Sequence, residues 1–170
     1  MKGKRTDLSM AQCAIARSLE IVGDWWSLLI IRDAFRGRER FGEFHKSLGL
    51  AKNILSARLK KLVDAQILAI EADPDSSLSH RYVLTPKGES LIPVLVALWQ
   101  WGEDNCFDRD ELELVMVDNV RGKPLGKLQP TSQDGRPLQR RDIRFAPRNV
   151  AGSSPTTRRP SGRRRAGAQS

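Results

Sequence analysis

Residues 41–65 read FGEFHKSLGLAKNILSARLKKLVDA, a sequence that predicts two helices separated by a tight turn. In the first helix, Phe41, Phe44 and Leu48 are spaced three and four positions apart and form one apolar face. Gly49 ends that helix, because glycine readily takes the left-handed conformation that a helix terminus needs. The second helix is predicted over residues 50–65. Its inward side is made of three leucines, Leu55, Leu59 and Leu62.

Two predicted strands follow these helices, at about Leu68–Ala72 and Arg81–Leu84. The segment between them, residues 73–80, reads DPDSSLSH, and its aspartates, serines and proline are typical of a turn. A short helix, a turn, a basic helix and a strand–loop–strand unit follow one another in this order in a winged helix-turn-helix. We therefore predict a mainly α fold with a small β-wing, followed by a small β-rich extension and a disordered tail.

The polar side of the second helix carries four residues that suit contact with duplex DNA: Lys52, Asn53, Ser56 and Lys60. The major groove of B-DNA admits one α-helix, and side chains near the N-terminus of that helix read the sequence. Asn53 can pair with an adenine edge, and Lys52 can reach guanine or a phosphate. Ser56 suits a base or the backbone, whereas Lys60 is expected to meet a phosphate.

Four further residues are predicted to lie near the same surface. Arg58 is at the flank of the second helix, where it can reach DNA or brace a neighbouring acid. Arg40 precedes the first helix, and His80 and Arg81 lie at the wing; these three suit contacts with the DNA backbone or minor groove. The alternative is that the second helix only has a basic, solvated face. The adjoining strands disfavour this alternative, because helical interaction modules seldom carry them.

Two helices are predicted before this motif. The first runs from about Met10 to Val22. The second, over residues 25–35, is capped by Asp24 and is apolar enough for the centre of the core. We assign the Trp25–Trp26 pair within it to core packing.

A last long helix is predicted from Pro86 to about Asn105, with Thr85 as its cap and the proline in its first turn, where the missing N–H does no harm. It carries more large apolar surface than a terminal helix of a small monomer can bury. We therefore expect a dimer interface shared with the first helix. The predicted interface residues are Leu19, Leu91, Leu95, Leu98 and Trp99.

The chain changes character after residue 106. We expect an N-terminal arm over 1–9, the winged-helix domain over 10–106, a β extension over 107–150 and a disordered arginine-rich tail over 151–170. In the extension, residues 111–117 alternate like a strand, Asp134-Gly135 is a turn signal, and Ile143 and Phe145 close a small β-ribbon. The tail either adds nonspecific DNA affinity or acts as a plain solubilising segment.

Composition limits the classes of function. The net charge is +9, but the tail holds five arginines and no acid, so bulk basicity is weak support for DNA binding. Two cysteines are too few for a disulfide framework or an ordinary zinc site. No apolar signal core or membrane-spanning run is visible, so a cytoplasmic protein with no membrane contact is expected. No catalytic or cofactor motif stands out, and we expect neither enzyme activity nor a cofactor or metal.

Several spaced motifs resemble the HxlR-type family of bacterial transcriptional regulators over about residues 10–106. They are CAIAR at 13–17, GDWWSLLIIR at 23–32, RFGEF at 40–44, LSARL at 55–59, LTPKG at 84–88 and WGE at 101–103. The resemblance implies a homodimeric winged-helix protein whose first and last core helices form the dimer interface. It also implies binding to pseudo-palindromic operators, usually for repression and sometimes for activation.

The resemblance has two further implications. Cys13 falls where several members place a thiol that responds to electrophiles or oxidants; a helix N-terminus and Arg17 would favour its thiolate. The alternative is that Cys13 is a small buried hydrophobe. Some members also carry a zinc ribbon after the last helix. Residues 112–145 keep its outline without its cysteines, which implies a metal-free unit that binds a partner or ligand, or only supports the dimer.

We therefore expect a sequence-specific transcriptional regulator, a repressor, that binds double-stranded DNA as a homodimer. A small-molecule or oxidant effector is compatible with this prediction. The alternative is a winged-helix module for protein–protein interaction, in which the basic face meets an acidic protein.

Overall fold

The computed structural model describes residues 7–108 and 111–147 of the 170-residue chain. Most of the predicted arm and the whole of the predicted tail, 151–170, lie outside the described residues. The described residues fall into two compact units, which are divided between Leu128 and Gln129. The first unit has the element order α1 Ala14–Val22, α2 Trp25–Phe35, α3 Phe41–Leu48, α4 Lys52–Asp64, β1 Leu68–Asp73, β2 Ser76–Leu84, α5 Pro86–Glu89 and α6 Ile92–Asn105.

The core of the first unit lies among α2, α3, α4 and the start of β1. Its large apolar side chains are almost completely removed from water, and each contributes roughly 1.5–3 kcal/mol to folding. They are Ile30, Ile31, Phe44, Leu55, Leu59, Leu62 and Leu68. The predicted inward leucines of α4 are therefore confirmed.

Helix α2 has the predicted bounds. The Asp24 carboxylate accepts a hydrogen bond from the Ser27 amide at 2.9 Å, which satisfies one of the free N–H groups of the first turn. The assignment of Trp25 to the core is wrong, because 74% of its surface is exposed. It occupies the first position of the helix and meets Trp26 edge-on, with ring centroids 6.0 Å apart. Trp26 alone packs against the core.

The two helices of the helix-turn-helix are confirmed, with one shift in their bounds. Gly49 has φ +63°, the left-handed conformation expected at the end of α3. Helix α4 begins at Lys52 rather than at residue 50. Leu50 is only 5% exposed, so the turn between the helices buries an apolar anchor of its own.

The wing is an antiparallel pair in which Leu68 lies opposite Leu84, and a register shift separates Ala72 from Asp73. The predicted loop over 73–80 is wrong, because β2 already begins at Ser76. Hydrogen bonding explains the difference. The Asp73 carboxylate accepts hydrogen bonds from the Asp75 amide at 3.1 Å and the Ser79 hydroxyl at 2.9 Å. Together they fold the polar segment back onto β1.

The predicted last helix is interrupted. The cap is confirmed, since the Thr85 hydroxyl accepts a hydrogen bond from the Gly88 amide at 3.1 Å. However, α5 ends at Glu89 and α6 begins at Ile92. Pro93 stands in the first turn of α6, where it has no N–H to donate and disfavours a continuous helix before it.

Helix α1 is shorter than predicted and begins at Ala14 rather than Met10. Two contacts fold the preceding segment back on the helix. The amide of Leu8 donates to the Glu20 carboxylate at 3.2 Å, and Nε of Arg17 donates to the carbonyl oxygen of Ala11 at 2.7 Å. These contacts hold residues 8–11 outside the helix.

The predicted strand over 111–117 is wrong. Within the described part of this segment only Val117 pairs, in an isolated bridge with Pro124. The amide of Leu125 also donates to the carbonyl oxygen of Met116 at 3.0 Å, so residues 116–125 form an irregular hairpin. Gln100 of α6 holds its end, because its side-chain amide donates to Gly126 at 2.9 Å and accepts from Leu128 at 2.8 Å.

The described part of the second unit contains an isolated bridge between Thr131 and Pro137 and a 3-10 turn over Arg140–Asp142. Gly135 has φ +83°, which confirms the predicted turn at Asp134-Gly135. The predicted closure of a β-ribbon by Ile143 and Phe145 is wrong, since the two side chains are 52% and 96% exposed.

Candidate nucleic-acid interface

Helix α4 carries the predicted DNA-contacting residues on its solvent side. Lys52, Asn53, Ser56 and Lys60 are all exposed, whereas the leucines at the intervening positions are fully buried. We call these four residues the α4 face. The buried leucines fix the orientation of α4, so the four polar side chains stay on its outward side. An α-helix has the width that the major groove of B-DNA admits.

The structure adds an apolar residue to the α4 face that the sequence analysis missed. Ile54 is 40% exposed at the first turn of α4, beside Asn53. Ala57, one turn further on, is also exposed. A branched apolar side chain in this place suits contact with the C5-methyl group of thymine. The signal was visible in the sequence, because Ile54 does not follow the spacing of the inward leucines.

Lys60 pairs within its own helix. Its ammonium group lies 2.8 Å from the Asp64 carboxylate, four residues on, and both side chains are well exposed. Exposed pairs of this kind contribute little to stability. Lys60 can therefore exchange Asp64 for a DNA phosphate at small cost.

Arg58 braces the fold rather than extending to solvent. Its Nε lies 3.4 Å from the carboxylate of Asp24, and the Lys61 ammonium lies 3.5 Å from the same carboxylate. Burial alone would raise the pKa of Asp24. Hydrogen bonds from Ser27 and the two cations outweigh burial, and the pKa lies below its ordinary value. Of the two roles predicted for Arg58, the structure shows the bracing of an acid, which ties α4 to the N-terminus of α2.

Arg40 is tied to the wing. Its guanidinium makes a two-point contact with the Asp73 carboxylate, at 2.6 and 2.8 Å, and reaches Asp75 at 2.6 Å. The Asp73 side chain is 1% exposed. The hydrogen bonds from Arg40 hold the pKa of Asp73 well below its usual range, with help from the Asp75 amide and the Ser79 hydroxyl. Any contact between Arg40 and DNA has to compete with these two carboxylates.

The remaining wing residues are also engaged. Arg81 lies 2.7 Å from Glu39 and 3.3 Å from Glu71. His80 is exposed, and its Nε2 lies 3.0 Å from the hydroxyl of Tyr82. The structure therefore does not place Arg40, His80 and Arg81 on one free basic surface with the α4 face. Within the described residues, the wing is a salt-bridged strand pair in which the carboxylates of Glu71, Asp73 and Asp75 outnumber the guanidinium of Arg81, so its net charge is negative.

The predicted dimer residues divide into two groups. Leu19 and Leu98 are 48% and 50% exposed. Leu91 and Leu95 are half-buried against the core of their own subunit, and Trp99 is half-buried as well. Trp101, part of the large apolar surface predicted for the last helix, is exposed, and so are three apolar residues of α1 and α6 that were not predicted: Ile15, Ile92 and Val94.

Cys13 is the N-cap of α1, and its side chain is exposed. The alternative of a buried Cys13 is therefore wrong. Cys106, the residue after α6, is also exposed and unpaired. Across the described parts of the chain, no group of three His, Cys, Asp or Glu residues could hold a metal ion. No helix among the same residues has the length and apolarity required to span a bilayer.

Comparison with known proteins agrees with this geometry. The family model described as HxlR-like helix-turn-helix matches residues 21–110, which include α2 to α6. The uncharacterised HTH-type transcriptional regulator Mb3122 of Mycobacterium bovis is 39% identical over 94 residues. That match covers 54% of this chain and 58% of the relative. The chain thus spans little more than half the length of the first curated relatives.

Two solved structures are also similar. PA1607, described as a candidate transcription factor, is 48% identical, with a TM-score of 0.79 over 83% of this chain and 99% of its own. PA1374 from Pseudomonas aeruginosa, described in the same way, is 38% identical, with a TM-score of 0.56 over 78% of this chain and 90% of its own. Both similarities cover more of this chain than the family model does.

Proposed function

Because the chain belongs to the HxlR-like helix-turn-helix family of transcriptional regulators, we propose that it binds a pseudo-palindromic DNA operator as a homodimer and represses transcription. The observation that carries this proposal is the α4 face. A helix whose inner leucines are fully buried presents Lys52 and Asn53 at its N-terminus, where helix-turn-helix proteins contact bases.

Each residue of the α4 face has a role in this proposal. The carboxamide of Asn53 donates to and accepts from an adenine edge, and Ile54 contacts a thymine methyl group. Lys52 contacts guanine or a phosphate, and Ser56 a base or the backbone. Lys60 leaves Asp64 for a phosphate. These contacts confer specificity at the bases and position the helix at the backbone.

The proposed dimer places one α4 in each of two successive major grooves. Exposed apolar surface supports it, since α1 and α6 both carry large side chains in solvent, among them Leu19 and Leu98. Contiguous apolar patches on a soluble chain mark interaction sites. Leu91 and Leu95 pack against the core of their own subunit beside this surface.

We also propose that oxidants or electrophiles act through Cys13. The thiol is exposed at the N-terminus of α1, where an oxidant or electrophile can reach it. A gel shift with and without diamide, on wild type and Cys13→Ser, tests this step. Loss of the diamide response only in the variant supports it, and equal responses in both proteins contradict it.

Operator binding tests the main proposal. The operator is first found by mapping the protein on its genome, and affinities are then measured by fluorescence anisotropy. Lys52→Ala/Asn53→Ala should weaken operator binding at least about tenfold. The matched control is Lys123→Ala, an exposed lysine outside the α4 face, which should change it less than about twofold.

The alternative function is a winged-helix module that binds an acidic protein through the α4 face. If the double variant keeps full operator affinity but loses a protein partner, that alternative replaces our proposal. A reporter gene behind the operator decides the direction of regulation: higher expression in a strain lacking the protein supports repression, and lower expression contradicts it.

A further inference from the structure

The first unit contains a cavity of about 500 Å³ beside α6. Its walls are α2 from Leu28 onward and α6 from Ile92 to Trp99, and the segment 114–117 covers it together with Leu125. Cavities of this volume are typical of sites for small organic molecules. The covering segment lies beyond residue 110, where the match to the family ends.

The cover of the cavity is held in place by specific contacts. The side chain of Gln100 is 8% exposed and hydrogen-bonds both Gly126 and Leu128. Lys127 adds an ion pair of 2.7 Å with Asp104 of α6. Because Leu125 directly precedes this anchored stretch, the hairpin over 116–125 is fixed against α6. These contacts hold the covering segment in place, so the cavity has a defined wall on this side.

Most side chains that line the cavity are apolar, and two arginines lie at its edge. Leucines, valines, Phe35 and Trp99 make up most of the wall, and the charged residues are Arg32 and Arg36 of the α2 terminus. Arg32 is occupied, since it contacts the buried Asp33 carboxylate at 2.8 Å. Arg36 is exposed and has no ion-pair partner among the described residues. An arginine free of carboxylates beside an apolar cavity matches a ligand with an apolar body and one anionic group.

We propose that this cavity binds a small aromatic or aliphatic molecule that carries one carboxylate or sulfonate, with Arg36 as its counter-ion. Leu95, Leu98 and Trp99 line the cavity and also belong to the predicted dimer residues. A second copy of the chain is thus the competing occupant, and the test has to separate the two.

The full-length protein is titrated with 1-anilinonaphthalene-8-sulfonate and with the uncharged analogue N-phenyl-1-naphthylamine, by fluorescence and calorimetry. We expect one sulfonate probe per chain. Arg36→Gln should lower the affinity for the sulfonate probe about tenfold and change the affinity for the uncharged probe less than about twofold. The matched control is Arg141→Gln, an exposed arginine in the second unit, which should leave both affinities unchanged.

A second variant, Val115→Trp, places a larger side chain in the cover of the cavity and should weaken both probes together. Sedimentation of each protein, with and without probe, reports the oligomeric state. Equal effects of Arg36→Gln and Arg141→Gln would overturn the proposal, because the sulfonate would then sense only surface charge. Unchanged probe binding in Val115→Trp, with an altered oligomeric state, would assign the cavity to a subunit contact. Should Val115→Trp fail to fold, the comparison of the two arginine variants decides alone.

Discussion

The Nε of Arg40 lies 2.6 Å from the carboxylate of Asp73, which joins the residue before α3 to the last residue of β1. These residues are 33 positions apart in the chain. The contact fixes the wing to the helix-turn-helix, and it does so with a carboxylate that is 1% exposed. Because Arg40 is ion-paired, its positive charge is neutralised and adds little to the charge near the α4 face.

Protonation of Asp73 at low pH should weaken this ion pair and lower the free energy of unfolding. The pKa of Asp73 in the folded chain lies well below the ordinary value of 3.8. Its contribution to stability is therefore complete above about pH 4 and is lost as the pH falls further. Urea unfolding between pH 2 and pH 6, in roughly half-unit steps, should show a shallower acid loss in Asp73→Asn than in wild type. The same slope in both proteins would show that Asp73 does not carry the effect.

Gly88 tests the packing of α5 on the end of the core. A Cβ at this position would collide with the carbonyl oxygen of Ile67, a backbone atom that cannot turn away. Gly88→Ala should lower the free energy of unfolding by roughly 1–3 kcal/mol. Gly102 of α6 is the matched control, because a Cβ there meets nothing within 4 Å. Gly102→Ala should be neutral or stabilising by up to about 1 kcal/mol. Equal destabilisation by the two substitutions would contradict the proposed close approach.

The exposed position of Ile54 predicts that its side chain contacts thymine methyl groups in the operator. Replacing individual thymines of the operator by deoxyuridine removes only the C5-methyl group. At one position in each half-site this change should lower the operator affinity of the wild-type protein by roughly three- to tenfold. It should not change the operator affinity of Ile54→Ala. Ile143→Ala, which alters an isoleucine that is 52% exposed in the second unit, should behave as wild type. A deoxyuridine effect that persists in Ile54→Ala would assign the methyl contact to another residue.

The helix-turn-helix could be predicted from the sequence because its determinants are local. Periodic leucines set the buried side of α4, Asp24 caps α2, and Gly49 supplies the left-handed residue that ends α3. The residues of the α4 face follow from the same periodicity. Ile54 does not follow from polarity, because an apolar residue is expected on the buried side of a helix, whereas Ile54 is 40% exposed.

The wing and the extension depend on contacts between distant residues. Asp73 is a turn former by type, yet its carboxylate accepts a hydrogen bond from Ser79 within β2 and also pairs with Arg40, 33 positions away. The alternating residues of 111–117 look like a strand, but residues 114–117 line an apolar cavity instead of pairing in a sheet. Gln100 fixes the nearby hairpin, and no short-range pattern indicates that a glutamine in α6 holds residues 126–128.

The central claim is that the N-terminus of α4 reads bases in the major groove. Operators in which single adenines are replaced by 7-deazaadenine lack one major-groove acceptor and are otherwise paired normally. For wild type we expect about tenfold weaker binding at one adenine of each half-site. Asn53→Ala should bind the substituted and unsubstituted operators equally. Wild-type affinity that is unchanged at every substituted adenine, on an operator the protein still selects, would contradict the assignment of Asn53 and of the α4 face.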